Sequence, residues 1–200
     1  MNAITPKISI ERLEAGVTMV TIDAPPVNAF TQAMTTELSA MVDNLTRNPG
    51  RAIVLTGRPD GFSAGGDIRR FGEITDKAAA KAFVRQAQDL FDRVAAIPAP
   101  VIAAIHGFAL GGGLELALAC DVRIASPDTQ FGLPEPRWGL LAGAGGTQRL
   151  ARLIGSGAAK LMMFTAQPID AVEALRIGLI DRMTSDPLSE SLAIAKQIAA

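Results

Sequence analysis

The 19 glycines of this chain are not spread evenly: they crowd into residues 61–66, 107–113 and 139–146. Glycine at that density lets a backbone come close to another element or to a ligand, because no side chain intervenes. Two of the clusters come shortly after apolar runs, Ala52–Leu55 and Val101–Ile105, which read as buried strands. Buried strands that end in glycine-rich turns and feed helices point to a layered α/β fold.

The remaining sequence keeps this alternation. Ile8–Leu13 and Val17–Ile22 alternate about Glu14-Ala15-Gly16 and predict a hairpin, which Asp23-Ala24-Pro25-Pro26 ends. Thr31–Leu45 has helical spacing, with Met34, Leu38, Met41, Val42 and Leu45 on one face and Thr31 as N-cap. Asp76–Ala96 predicts a second helix whose core face is Phe83, Ala87, Leu90, Phe91 and Val94. Leu114–Cys120 reads as a short helix, Val122–Ala125 as a strand, and Phe131–Gly146 as a loop. Helices are expected at Thr147–Ile154, Ala158–Phe164, Ala171–Ile177 and Ser189–Ala200, with no internal repeat and no low-complexity linker. The last helix runs to the final residue, so the fold is expected to continue past it. That reading predicts exposed apolar surface near Leu192 and Ile198, with self-association or instability.

Composition narrows the function. Nineteen basic and twenty acidic residues leave a net charge of −1 with no basic patch, which argues against nucleic-acid binding. The single cysteine, Cys120, cannot form an internal disulfide and fits a reducing compartment. The N-terminal stretch carries Glu11 and Glu14 and lacks the apolar run of a secretory signal. The longest apolar stretch, Val101–Leu110, is broken by His106 and Gly107 and falls short of the roughly 20 residues that a membrane span needs. A soluble, cytoplasmic protein is expected, with no membrane and no nucleic-acid partner.

The chemistry-bearing residues are few. Gly107–Glu115 follows a strand and opens a helix, but neither the G-x-G-x-x-G nor the G-x-x-x-x-G-K-[ST] spacing is present. What remains is a helix N-terminus with free N–H groups, which favours negative charge. Gly61-Phe-Ser-Ala-Gly-Gly-Asp offers a second such loop. Two loops that each present a backbone N–H can form an oxyanion hole; they can equally be tight turns packed against neighbours. Glu115 lies in a very apolar segment, and Glu135 in a loop poor in charge. Burial would raise both pKa values and could poise one as a general acid; the alternative is a helix-start glutamate and a surface one. His106 is the only histidine, which leaves no His-rich metal site and no spare base for a Ser-His-Asp triad. His106, Cys120, Trp138 and the methionines read as packing residues, and Asp67 as a helix cap.

Five segments in order then resemble one family. They are Gly61-Phe-Ser-Ala-Gly-Gly-Asp-Ile, Gly107-Phe-Ala-Leu-Gly-Gly-Gly-Leu-Glu-Leu-Ala, Cys120-Asp-Val-Arg-Ile-Ala, Phe131-Gly-Leu-Pro-Glu and Gly143-Ala-Gly-Gly-Thr-Gln-Arg-Leu. Their order and spacing are similar to those of the crotonase superfamily, in particular the enoyl-CoA hydratases and isomerases. The resemblance implies an α/β fold, a spiral of ββα turns over residues 1–185. Residues 186–200 would begin a C-terminal helical segment that is longer in the family. It implies a thioester held by the backbone N–H groups of Gly66 and Gly112. Val27, Ala64, Asp67 and Ile68 match positions that lie along coenzyme A, and Phe71 and Leu140 match the acyl pocket. Gly143 matches the loop that positions the water; beside it, Ala142 replaces the family's common proline. Glu115 and Glu135 match the acid pair of hydratases. The implied reaction adds water to a trans-2-enoyl-CoA, with no metal and no cofactor beyond the coenzyme A of the substrate. A homotrimer or hexamer is implied too. Two competing readings are a crotonase-fold isomerase or acyl-CoA hydrolase, since fold does not fix reaction, and a non-catalytic acyl-CoA-binding protein.

Overall fold

A computed structural model describes residues 7–72 and 74–200; the first six residues, part of the stretch read for a secretory signal, lie outside it. In chain order the strands and helices are β1 (Lys7–Arg12), β2 (Val17–Asp23), β3 (Ala29–Phe30), α1 (Gln32–Arg47), β4 (Ala52–Thr56), β5 (Gly65–Gly66), α2 (Ile68–Phe71) and α3 (Lys77–Ala95). There follow β6 (Val101–Ile105), β7 (Phe108–Leu110), α4 (Gly112–Ala119), β8 (Val122–Ala125), β9 (Gln130–Gly132), α5 (Gly146–Ile154) and α6 (Ser156–Thr165). The chain closes with β10 (Ile169–Asp170), α7 (Ala171–Arg176), β11 (Arg182–Met183) and α8 (Pro187–Ala199).

The long strands form one six-stranded sheet in the order β1-β2-β4-β6-β8-β11. The predicted hairpin is its antiparallel edge, and the neighbours from β2 onward are parallel. β4 and β6 are buried throughout, which is why they read as unbroken apolar runs rather than alternating ones. The short strands make a second layer: β3 pairs with β5, and β7 lies between the Ser63 bridge and β9, all parallel. Each turn of the chain is thus a long strand, a short strand and a helix, the expected ββα spiral.

The helices cover both faces of the long sheet. α1 buries the five side chains expected, Met34, Leu38, Met41, Val42 and Leu45; each contributes about 1.5–3 kcal/mol. Its predicted cap is present, Thr31 Oγ1 accepting from Met34 N at 3.2 Å. α3 buries Leu90, Phe91 and Val94, while Phe83 and Ala87 are half-buried. On the opposite face α8 lays Ala195 and Ala199 against Val17, Ala52, Val54, Ile102, Ala104 and Ile124. Asp186 caps α8 through Ser189 N.

Three expectations are corrected. Phe131–Gly146 is not one loop: it begins in β9 and holds a 3-10 turn over Glu135–Trp138. Pairing with β7 and β10 makes a strand of three residues that carry no period of their own. Trp138 is not a packing residue, since it is 59% exposed. The exposed apolar surface falls differently as well. Ile198 is exposed, but Leu192 packs against the α8 face of the sheet, and Leu161, Phe164 and Val172 of α6 and α7 are more exposed still. Among the described residues no helix is long and apolar enough to cross a membrane.

Candidate active site

The site forms where two short strands meet the start of α4. Asn28 sets the first approach. Its positive φ of 51° suits asparagine better than most residues. Its buried Nδ2 donates to the carbonyls of Gly61 and Phe62, and its Oδ1 accepts from Ala24 N. Ser63 Oγ donates back to Asn28 O at 2.8 Å and accepts from Gly65 N at 3.0 Å. Val27 O accepts from Ala64 N at 2.9 Å, which brings Val27 and Ala64 side by side.

The backbone at Gly65 runs so near the α4 N-terminus that a methyl there would lie 2.5 Å from Gly112 N and 2.6 Å from Leu110 O. With φ +86°, the position needs glycine on both counts. Gly66 and Gly112 are thereby neighbours: a methyl on Gly112 would sit 3.4 Å from Gly66 N and 3.2 Å from the Phe30 ring. Gly112 is the first residue of α4, so its N–H has no intrahelical acceptor. The Phe71 ring stands over Gly66, 3.1 Å from where a methyl would be, and packs edge-on against Phe83.

Asp67 is a cap, as its sequence setting suggests. It starts α2 by accepting from Arg69 N, and the Arg69 side chain holds its carboxyl below the ordinary range. Ile68, beside it, is half-exposed.

Glu115, one turn into α4, is almost fully buried. Its Oε1 accepts from Gly146 N, the first N–H of α5, at 2.8 Å. Burial pushes its pKa up to about 7; the Gly146 N–H opposes that rise, the nearby Glu135 charge adds to it, and the Ala144 N–H and Arg149 oppose it. Glu135 opens the 3-10 turn and reaches back over Gly111, where a methyl would lie 3.0 Å from its Oε1. Burial raises its pKa as well, and its Oε2 is buried without a hydrogen-bond partner among the described residues. Leu140 N donates to Glu135 O, which ties Leu140 to the turn of that acid, and Gln88 Nε2 donates to Gly143 O, which ties Gly143 to α3.

Cys120 is buried, and burial drives its thiol up to about 12, so it is inert packing. His106 is half-buried at the end of β6, its carbonyl accepting from Phe62 and Phe108 N. Among the described residues no group of three or more potential metal ligands gathers. Two open surface grooves lie away from this site: one of about 560 Å³ between α1 and α3, and one of about 280 Å³ beside Arg58.

Residues 12–200 match the family described as enoyl-CoA hydratase/isomerase. The chain belongs to that family. It is 39% identical over 201 residues to a probable enoyl-CoA hydratase of Bacillus subtilis, an alignment that takes in all of this chain and 76% of the relative. Its fold superposes on DspI of Pseudomonas aeruginosa with a TM-score of 0.90 at 38% identity, covering 96% of this chain and 80% of that one. An enoyl-CoA hydratase from Bacillus anthracis gives 0.89 at 34% identity, covering 96% and 76%. The family is one of enzymes, and the crotonase fold expected from the five motifs is the fold observed.

The structure draws the expected residues into one region, with Val27 beside Ala64, Gly66 beside Gly112, Phe71 over Gly66, and Glu135 over the turn that leads to Glu115. The sequence reading missed Asn28, Gly146 and Arg149 as supports of this site. The glycine pair at the start of α5 was the available signal, since a helix N-terminus invites a carboxylate.

Proposed function

We propose that this enzyme is an enoyl-CoA hydratase, adding water across the 2,3 double bond of a trans-2-enoyl-CoA. The observation that carries the reading is a buried Glu115 and a half-buried Glu135, both of raised pKa and close enough to interact, with Gly66 and Gly112 as adjacent backbone N–H donors. The thioester oxygen accepts from Gly66 and Gly112 N–H, which polarises the carbonyl and makes C3 electrophilic. The N-terminus of α4 favours the charge that develops there.

The two acids differ in setting, and the difference supports distinct roles for them. Glu115 accepts a backbone N–H, which favours its ionised form. Glu135 has one oxygen, Oε2, that is buried without a partner among the described residues and can carry the proton to be delivered. Glu115 therefore takes a proton from water as the water oxygen bonds to C3. The π electrons move onto the thioester oxygen as an enolate. The enolate collapses as C2 takes the proton of Glu135. Glu115 ends protonated and Glu135 ionised, and exchange of one proton through solvent restores the pair. Val27, Ala64, Asp67 and Ile68 would lie along coenzyme A, and Phe71 and Leu140 along the acyl chain.

Product mass in isotopically heavy water tests this reading. Hydration gives a 3-hydroxyacyl-CoA that carries heavy oxygen on C3. An unchanged mass with a shifted double bond would make the enzyme an isomerase, and release of free coenzyme A a hydrolase.

A further inference from the structure

Glu115 does not find its N–H donors by itself; the turn that carries them is strapped in place. Gly145 and Gly146 form the start of α5, and Gly145 has φ +120°. One turn along the helix, Arg149 folds back toward this start. Its Nη1 donates to Ala144 O at 3.2 Å, and its Nη2 pairs with Asp92 of α3. The guanidinium passes so close over Gly145 that a methyl there would lie 2.0 Å from Nη1. Gln88, four residues before Asp92 on the same helix, donates to Gly143 O at 2.8 Å. Residues 143–146 are thus fastened to α3 at two points, through Gln88 and through Arg149 and Asp92. Arg149 is largely covered, at 20% side-chain exposure, whereas Asp92 is 70% exposed.

We propose that Arg149, tethered to Asp92, holds the Ala144–Gly146 turn against Glu115 and is thereby a positioning residue for the acid pair. This rests on the hydratase reading for its catalytic consequence but not for its geometry. The charged groups facing Glu115 are Glu135 from the 3-10 turn and Arg149 from α5, with Asp92 of α3 acting through Arg149. Without the strap the turn is free to withdraw its N–H groups, and a nearby positive charge is lost. Both changes favour the protonated carboxyl, which cannot accept a proton from water.

The test is the titration of Glu115 followed by carbon NMR of glutamate-labelled protein, the resonance assigned by its absence in Glu115→Gln. In Arg149→Met the midpoint is expected to rise, with proton affinity up about threefold or more. In Asp92→Asn, an exposed change that keeps the fold if Arg149→Met does not, a smaller rise is expected. Arg149→Lys should restore part of it. An unchanged midpoint in the folded variants overturns the proposal. Enoyl-CoA hydration is read in parallel: kcat near neutral pH should fall in Arg149→Met with KM little changed. Absence of hydration in the wild type would sink the hydratase reading and leave the titration result standing on its own.

Discussion

Replacing Glu115 by glutamine should remove activity and stabilise the fold at alkaline pH. The glutamine side chain retains a carbonyl oxygen to accept from Gly146 N–H and carries no charge. In the folded chain Glu115 gains its proton at about 7, against 4.5 for an ordinary carboxyl. Between those values the folded state holds more protons than the unfolded state, so stability falls as pH rises. The contribution is favourable below 4.5 and is lost by the time the pH has passed 7. At about 1.36 kcal/mol per pH unit, the loss between pH 5 and pH 8 is about 2–3 kcal/mol. The variant has no such loss. Urea denaturation of both proteins at the two pH values reads it directly. Relative to the wild type, Glu115→Gln should gain about 2–3 kcal/mol on going from pH 5 to pH 8. A gap that does not change with pH, or one that grows in the wild type's favour, would refute the argument that burial of the ionised carboxyl is costly here.

Three further outcomes follow from the same geometry. Glu135→Gln should leave the fold intact and lower kcat by roughly 10²–10⁴, the usual contribution of a positioned acid; a loss below tenfold in steady-state assays would remove Glu135 from the chemistry. Gly112→Ala places a methyl 3.4 Å from Gly66 N, between the two proposed donors. Helix propensity favours the change, yet kcat/KM should fall by about 10²–10³, and near-normal rates would mean that the thioester oxygen binds elsewhere. Gly113→Ala forces a methyl to within 2.2 Å of Ser63 O, a backbone atom that already accepts from Leu110 N at 3.0 Å. It should cost about 1–3 kcal/mol in thermal or urea denaturation, and a neutral result would contradict the close approach of α4 to the Ser63 turn.

Much of the frame could be read from the residues because each long element carries its own signal. β4 and β6 are apolar without interruption because both faces are covered, and α1 buries the very face its spacing marks. The short strands β3, β5, β7 and β9 escaped notice because two or three residues, several of them glycine, cannot show a period. They exist only because the layer beside them supplies their hydrogen bonds. Trp138 failed the default that large aromatics pack inside, since its 3-10 turn holds it outward. At the site, Gly66, Gly112, Glu115 and Glu135 were found through motifs, and spacing alone left them open to a structural role. The partnership of Glu115 with Gly146 spans 31 residues, and that of Arg149 with Asp92 spans 57. No local pattern connects such distant positions; the spiral does, by stacking successive turns so that α3, α4 and the start of α5 converge.

The central claim is that two glutamates add one water to an enoyl thioester. Its most direct test follows the absorbance of crotonyl-CoA after mixing with the wild type, Glu115→Gln and Glu135→Gln, each shown to be folded. The account predicts loss of the enoyl signal with the wild type and little or none with either variant. A wild type that leaves the signal unchanged, or a variant that removes it as fast as the wild type, would contradict the claim.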